Sequence, residues 1–214
     1  NITDKEVDEA LNKILTSFNT IPPVTLAQEK KRFKKIITTW IDAETARPDY
    51  TIEDVEQERE IQLAELHIKI RLDRIDRIND GSVIIIDYKT GSSTLTSWKP
   101  PRMSEPQLPL YAISDDEVNA IAFMSISDDS VRLRGLGDLA IEDKNIYSPQ
   151  FFNEESFISL KNVWRESLLK TSSEFMAGYA KVEPLDPNKT CRKCDLQSLC
   201  RIYALHQPKH NHAQ

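Results

Sequence analysis

A continuously apolar run of residues, Val83-Ile84-Ile85-Ile86, constrains the fold of this chain more than any other feature. β-Branched residues favour strands, and a strand that is apolar at every position is buried on both faces. A sheet that contains such a strand must be covered on each side by another layer. The sequence therefore predicts a central sheet that lies between helices.

The pattern of apolar residues elsewhere supplies the other elements of this sheet and its covering layers. Strand-like alternation runs from Thr51 to Leu72, and shorter strand-like runs lie at residues 120–126 and 131–133. Helical spacing predicts helices over about residues 3–18, 26–46, 107–113 and 160–178. The predicted fold class is α/β (α+β), with a mixed central sheet flanked by helices in a single domain, residues 1–214, whose last residues, 203–214, form a flexible tail.

Composition excludes several classes of protein. The 214 residues contain no apolar run of membrane-spanning length and no signal peptide at the start, so we expect a cytoplasmic protein without a membrane partner. The formal net charge of −6 argues against binding to nucleic acid through bulk positive charge. Any contact with DNA must then be local. A run of basic residues on the second predicted helix, from Lys30 to Lys35, is best interpreted as a solvated helix face.

The segment Asn79-Asp80-Gly81-Ser82 predicts a tight turn between two strands. If the loop has three residues, Asn79 to Gly81, then Ser82 pairs with Ile78, and counting back along both strands places Asp73 directly opposite Asp87. A loop of two residues would shift this pairing by one position.

Asp87 and Lys89 follow the apolar run and, because side chains alternate along a strand, project from one face about 6 to 7 Å apart. Two carboxylates opposite one another are destabilising unless something neutralises them, and a divalent cation is the usual solution. Asp73 and Asp87 are therefore candidate ligands of Mg²⁺ or Mn²⁺, with Lys89 alongside. Taken alone, an Asp and a Lys at a strand end form a surface salt bridge more often than an active site.

Three segments in this order resemble motifs of the RecB branch of the PD-(D/E)XK nucleases. They are the segment from Arg71 to Arg77, the strand end from Ile85 to Gly91, and the Q-x-x-x-Y signature from Gln107 to Tyr111. The resemblance implies a restriction-endonuclease-like fold and a metal-dependent deoxyribonuclease, in which water attacks a phosphodiester. The spacing of four between Gln107 and Tyr111 places both on one helix face.

The same resemblance implies a role for each matching residue. Asp73 and Asp87 would be metal ligands, Lys89 would orient the attacking water, and Gln107 and Tyr111 would lie beside the metal and contact DNA. Asp76 is expected to be structural, and a metal-binding role for His67 is rejected. Arg71 and Arg74 remain open between phosphate binding and salt bridges, and the third carboxylate of the site remains open among Glu56, Glu58 and Glu60.

The three cysteines of the chain, Cys191, Cys194 and Cys200, lie close together near its end and are followed by Arg201. This spacing is similar to that of iron-sulfur nucleases related to the second subunit of the AddAB helicase-nuclease, where it supplies three ligands of a 4Fe-4S cluster. A fully cysteine-ligated cluster takes four thiolates, and the chain has no fourth cysteine. A zinc site completed by His206 is the competing metal interpretation, and three unligated thiols are the simplest one.

Together these features lead to one hypothesis and one alternative. The chain is expected to be the C-terminal nuclease region of a larger bacterial DNA-repair protein, an exonuclease on single-stranded ends produced by a helicase partner or by its own missing N-terminal region. A truncated N-terminus would explain the absent cysteine and an absent upstream histidine. The alternative is a catalytically inactive DNA-binding or structural module that keeps the fold and the iron-sulfur or zinc site.

Overall fold

The computed structural model describes residues 4–15, 22–91, 93–127, 130–140 and 143–200. Several predictions fall outside these residues: both ends of the first predicted helix (3 and 16–18), Arg201, the zinc candidate His206 and the predicted tail, 203–214.

The core of the domain is a sheet of six strands that lie side by side in chain order. The strands are β1 (Tyr50–Leu63), β2 (Leu66–Ile78), β3 (Val83–Lys89), β4 (Val118–Ile126), β5 (Val131–Gly137) and β6 (Ile146–Tyr147). Antiparallel pairs join β1 to β2, β2 to β3 and β4 to β5, whereas β3 pairs with β4 and β5 with β6 in parallel. The predicted mixed sheet is therefore confirmed.

Helices cover both faces of this sheet. The longer ones are α1 (Asp4–Leu15), α2 (Pro23–Thr45), α3 (Gln107–Ile113) and α4 (Phe157–Met176), and two short ones follow, α5 (Pro187–Thr190) and α6 (Gln197–Cys200). We call the face covered by α3 and α4 the front face and the face covered by α2 the back face. Helix α1 packs on α2 through its own small apolar cluster. Within the described residues, no helix combines the length and apolar character needed to cross a membrane.

Strand β3 is buried on both sides, as its sequence predicts. Val83 and Ile85 belong to the front core, together with the large side chains of α3 and α4. Ile84 and Ile86 belong to the back core, against which Trp40 of α2 packs. Burial of apolar surface on both faces is the main stabilising contribution to such a layered domain.

The sequence predicted one strand-like stretch from Thr51 to Leu72, and the structure divides it into two strands. The chain turns at Ala64-Glu65, where Ala64 adopts the left-handed conformation with φ of 53°. The turn has none of the Gly, Pro, Asn or Asp residues that usually mark such a position, so the alternation seemed continuous. Strand β6 and the two short helices were also not predicted.

Close packing between β4 and β5 generates a stability prediction at Gly137. This residue pairs with Ala120 across the two strands, and a Cβ at position 137 would overlap Ala120 and the carbonyl oxygen of Asn119. We expect Gly137→Ala to lower the free energy of unfolding by about 1–3 kcal/mol, because backbone atoms cannot move aside easily. Gly91→Ala is the matched control, since a Cβ there meets no atom within 4 Å. Urea unfolding of both variants measures the difference, and equal stability would contradict this packing.

Candidate active site

The predicted register between β2 and β3 is confirmed. The Ile78 N–H donates to the Ser82 carbonyl at 2.8 Å, and the Gly81 N–H donates to the Ile78 carbonyl at 2.9 Å, which closes a three-residue turn. The ladder then continues through Arg77 with Val83 to Arg74 with Ile86. The next position in this register sets Asp73 against Asp87.

Asp87 and Lys89 meet on the front face at the end of β3. Lys89 Nζ lies 2.7 Å from Asp87 Oδ2 and 5.7 Å from the centre of the Phe123 ring. The Asp87 side chain is only 4% exposed, whereas that of Lys89 is 32% exposed. Asp87 Oδ2 makes no hydrogen bond of acceptable geometry despite the short ion-pair distance. A buried carboxylate oxygen is therefore left with bonding capacity beside a cation.

Asp73 is connected to the same strand end through the backbone. Its Oδ2 accepts a hydrogen bond from the Tyr88 N–H at 3.0 Å. Because Tyr88 lies between Asp87 and Lys89 in the sequence, this bond holds the Asp73 carboxylate at the end of β3. The Asp73 side chain is half-buried. The three residues that the sequence singled out thus lie at one place in the structure.

Electrostatics at this place favour a bound cation. Burial raises the pKa of Asp87 above its ordinary value, Lys89 opposes the rise, and the negative charges of Asp73 and Glu105 add to it. Burial alone would lower the pKa of Lys89, but Asp87, Glu105 and Asp73 raise it, so the ammonium stays charged. Glu105 is a further carboxylate whose charge acts on both groups, and sequence reasoning did not single it out. Its position two residues before Gln107 was the available signal.

The candidates for a third carboxylate that the sequence left open have exposed side chains. Glu56 pairs with Arg71 at 3.0 Å and Glu60 pairs with Lys69 at 3.5 Å, in both cases between exposed side chains. Glu58 is also exposed. All three remain candidates, and Glu105, whose charge acts on Asp87, joins them.

Tyr111 and Gln107 lie beside the site but differ in exposure. Tyr111 is 4% exposed, and its hydroxyl donates to the Arg71 carbonyl at 2.8 Å and accepts from Gln107 Nε2 at 2.8 Å. The tyrosine therefore joins α3 to β2 two residues before Asp73, and its hydroxyl is already engaged. Gln107 is exposed. Gln107 is thus the more exposed of the two, and both residues line the same cavity.

A cavity of about 410 Å³ opens between α3 and β2 at this point. Its walls include cationic, acidic and apolar groups, among them Lys69, Arg71, Asp73, Gln107, Leu110 and Tyr111. The side chains of Lys69 and Arg71 are more than half exposed. The cavity thus provides positive charge and apolar surface next to the carboxylate pair.

The alternation of side chains along β2 is interrupted between Leu72 and Ile75, on either side of Asp73. Leu72 and Ile75 both pack in the front core, which strict alternation over three residues would not allow. The β1 register sets Glu56, with φ of 53°, opposite Asp73 at this level. The shared parity of His67 and Asp73 therefore does not place them on one face, and His67 is an exposed residue near the start of β2.

Arg74 and Asp76 lie on the back face in a buried ion network with Glu44 and Arg47 of the α2 end. Arg74 Nε lies 2.6 Å from Asp76 Oδ1, Arg74 NH1 lies 2.7 Å from Glu44 Oε1, and Arg47 NH1 lies 2.7 Å from Asp76 Oδ2. Arg74 is 3% exposed and Asp76 is fully buried. The structure therefore places Arg74 in salt bridges, one of the two roles left open for it, and gives Asp76 the buried structural contacts expected of it.

The front-face residues fit a hard divalent cation. Mg²⁺ is commonly held by one or two carboxylates, with water and substrate phosphate as its remaining ligands. Asp73 and Asp87 supply such a pair, and Asp87 Oδ2 has one close cationic neighbour, Lys89 Nζ at 2.7 Å, with which a bound metal ion would share this oxygen. Among the described residues, no three His, Cys, Asp or Glu side chains converge into a complete protein cage.

The cysteines do not form such a cage either. Cys191 is buried, Cys194 is exposed and Cys200 is partly exposed, and all three are free thiols. The Leu196 N–H lies 3.4 Å from Cys194 Sγ, and the Cys194 N–H donates to the Cys191 carbonyl at 3.1 Å. In this arrangement, within the described residues, the three thiols do not converge on one centre.

Comparison with known proteins identifies the family. The sequence pattern of the PD-(D/E)XK nuclease superfamily matches residues 2–201. No curated protein matches the chain. Eight chains of known structure match, and one of them, "Crystal structure of SSO0001", has 16% sequence identity and a TM-score of 0.40 over 90% of this chain and 77% of that chain.

The ion network on the back face predicts a pH-dependent stability. Burial alone would raise the pKa of Glu44, but hydrogen bonds from Arg74 and Tyr50 and the charges of Arg74 and Arg47 lower it below the usual 4.5. A carboxylate with a lowered folded-state pKa stabilises the fold above its unfolded pKa, and this contribution is lost as the pH falls through the folded pKa. Glu44→Gln should therefore cost about 1–3 kcal/mol at pH 7 and nothing in strong acid.

Urea unfolding between pH 7 and strong acid measures this difference. Glu60→Gln is the control, because Glu60 forms only an exposed ion pair with Lys69 and should change little at any pH. A Glu44→Gln deficit that stays constant from neutral to acidic pH would contradict the role of the Glu44 charge.

Proposed function

Because the chain belongs to the PD-(D/E)XK nuclease superfamily, we propose that it is a DNA nuclease that depends on Mg²⁺ or Mn²⁺ held by Asp73 and Asp87. The observation that supports this most directly is the β2–β3 register, which, continued by one position beyond Arg74 and Ile86, sets Asp73 opposite Asp87, with Lys89 2.7 Å from the second carboxylate. A bound divalent cation would polarise the phosphoryl group and acidify a water molecule.

The residues of the chain have distinct parts in this reaction. Asp73 and Asp87 hold the cation. The Lys89 ammonium orients the attacking water and stabilises the negative charge that develops on the phosphate. Tyr111 fixes α3 against β2 through the Arg71 carbonyl, and Gln107 contacts the DNA strand from the exposed side of the same helix.

The cavity beside Asp73 is the binding place for the substrate strand. The side chains of Arg71 and Lys69 bind the phosphates of this strand. These phosphates would replace the exposed carboxylates of Glu56 and Glu60, with which Arg71 and Lys69 form ion pairs in the structure. Leu110 supplies apolar surface for a base. A volume of about 410 Å³ is at the lower end of ligand pockets, which suits a nucleotide of a single strand better than a duplex. The acidic net charge also favours such a local contact.

We further infer an exonuclease that acts on single-stranded ends in DNA repair, supplied with them by a helicase partner or by a helicase-like region of the same protein. The alternative is a module that binds DNA without cleaving it. The presence of Asp73, Asp87 and Lys89 together favours activity, because a module that no longer cleaves DNA has no need to keep two neighbouring carboxylates, one of them buried.

Cleavage of end-labelled DNA with Mn²⁺ tests the proposal. We expect wild type to degrade linear single strands, and Asp87→Asn or Lys89→Met to lower the rate by about 100-fold or more, because each removes charge stabilisation from the transition state. Asp116→Asn and Lys170→Met are matched controls at exposed side chains.

The substrates separate the parts of the proposal. Circular single strands should resist cleavage, and equal cleavage of circular and linear strands would replace the exonuclease with an endonuclease. Equal rates for wild type, Asp87→Asn and Lys89→Met would overturn the nuclease assignment to this site. Binding of DNA without cleavage by any form would favour the inactive module.

We propose separately that Cys191, Cys194 and Cys200 serve an iron-sulfur cluster. Their spacing supports this, as does the amide hydrogen that points at Cys194 Sγ, since such contacts are typical around metal-bound thiolates. The three thiols would have to move together and gain a further ligand. No chemical step of the nuclease is assigned to this group.

Metal analysis after anaerobic purification decides among the interpretations of the cysteines. Iron accompanied by acid-labile sulfide, and lost in Cys194→Ser, is the expected result because thiolates are the ligands of such clusters. Zinc without sulfide would favour the competing zinc site. Absence of both metals would identify the cysteines as free thiols in this chain.

A further inference from the structure

Tyr88 connects the two faces of the sheet at the candidate active site. It lies between Asp87 and Lys89 on β3, so its side chain points to the back face while theirs point to the front. Its backbone N–H donates to Asp73 Oδ2 at 3.0 Å on the front. Its hydroxyl accepts a hydrogen bond from Arg74 NH1 at 3.0 Å on the back.

This connection matters because the ladder between β2 and β3 ends early. Its last pair is Arg74 with Ile86, one position before Asp87. On its other side β3 pairs with β4 as far as Lys89 with Ser125. Toward β2, the hydrogen bonds that hold the segment from Asp87 to Lys89 within the described residues are therefore the two of Tyr88.

Arg74 is itself held rigidly. Its guanidinium donates to Asp76 through Nε and NH2 at 2.6 and 2.9 Å, and to Glu44 through NH1 and NH2 at 2.7 and 3.2 Å. A planar guanidinium that is gripped from two sides has one orientation, and its donors point in fixed directions. The NH1 donor to Tyr88 is therefore directed by carboxylates from β2 and α2.

Helix α2 contributes further restraints to this arrangement. Trp40 Nε1 donates to Glu44 Oε1 at 3.0 Å, and the Trp40 ring meets the Tyr88 ring edge-to-face at 6.1 Å. Arg47 balances the charge, so that two carboxylates face two guanidinium groups in a buried layer. Burial makes such interactions strong and any rearrangement costly.

We propose that Arg74, acting through the Tyr88 hydroxyl, is a positioning residue that fixes the end of β3 and thereby the placement of Asp87 and Lys89 relative to Asp73. The inference rests on the proposed function for its catalytic consequence. The inference also predicts that losing the Tyr88 hydroxyl weakens the hydrogen bond from the Tyr88 backbone N–H to Asp73. This effect on the backbone is independent of catalysis.

Tyr88→Phe tests the proposal with the loss of a single oxygen atom. Tyr50→Phe is the matched control, because the Tyr50 hydroxyl donates to Glu44 of the same network at 2.6 Å, whereas no hydrogen bond joins it to β3 in the described part of the chain. Three measurements are made on both variants and on wild type. The first is hydrogen exchange of the backbone amide at position 88, and the second is direct Mn²⁺ binding followed by electron paramagnetic resonance. The third is kcat and KM on single-stranded DNA.

We expect Tyr88→Phe to accelerate amide exchange at position 88 and to weaken Mn²⁺ binding by about 10-fold, the lower end of effects seen for groups that orient metal ligands. We expect kcat to fall by a similar factor with KM unchanged, because the DNA-binding cavity is not altered. Tyr50→Phe should match wild type in all three measurements. A role in stability alone would not separate the two variants.

The outcomes distinguish this inference from the proposed function. Unchanged amide exchange and Mn²⁺ affinity in Tyr88→Phe would overturn the inference even if wild type cleaves DNA well. Faster exchange and weaker Mn²⁺ binding in a protein that never cleaves DNA would leave the inference standing and refute the proposed function. Equal losses in Tyr88→Phe and Tyr50→Phe would identify a general effect of the network and also overturn the inference.

Discussion

The pairing of β2 with β3 is the constraint on which the candidate site depends. Side chains alternate along a strand, so a shift by one residue would turn Asp73 away from Asp87. The turn at residues 79–81 prevents that shift. Gly81 has φ of 90°, a conformation that other residues adopt only at a cost, and the Ser82 N–H donates to Asp80 Oδ1 at 2.7 Å. A few local interactions at the closed end of the hairpin therefore align carboxylates at its open end.

The same register explains why the neighbouring charges of β2 lie on the back. With Asp73 turned to the front, Arg74 must turn to the back, where the layer beneath α2 is closed to water. A guanidinium can be buried there only if carboxylates neutralise it, and Asp76 and Glu44 do so. An acidic group for chemistry on one face thus coexists with a neutral ion network on the other.

Sequence reasoning predicted the features that depend on local pattern. The apolar run of β3, the turn and the motif spacing were sufficient for the mixed sheet and for the register. The effect of the Glu105 charge on Asp87, and the pairing of Arg74 with Glu44, depend on the placement of residues far apart in the chain. Neither has a periodicity that one sequence could reveal. The turn at Ala64-Glu65 was missed for a different reason, since its residues lack turn-forming character.

The change of facing direction at Leu72 to Ile75 is another feature that alternation could not predict, and it has a consequence for the site. A regular strand would place Asp73 on the face opposite Leu72. The irregularity, with Glu56 in a left-handed conformation across from it, brings Asp73 to the front core side and leaves Arg74 on the back. Local departure from strand geometry is common where a fold must aim one side chain. Here it aims the carboxylate that must face Asp87, and Tyr88 then holds that carboxylate through its backbone amide.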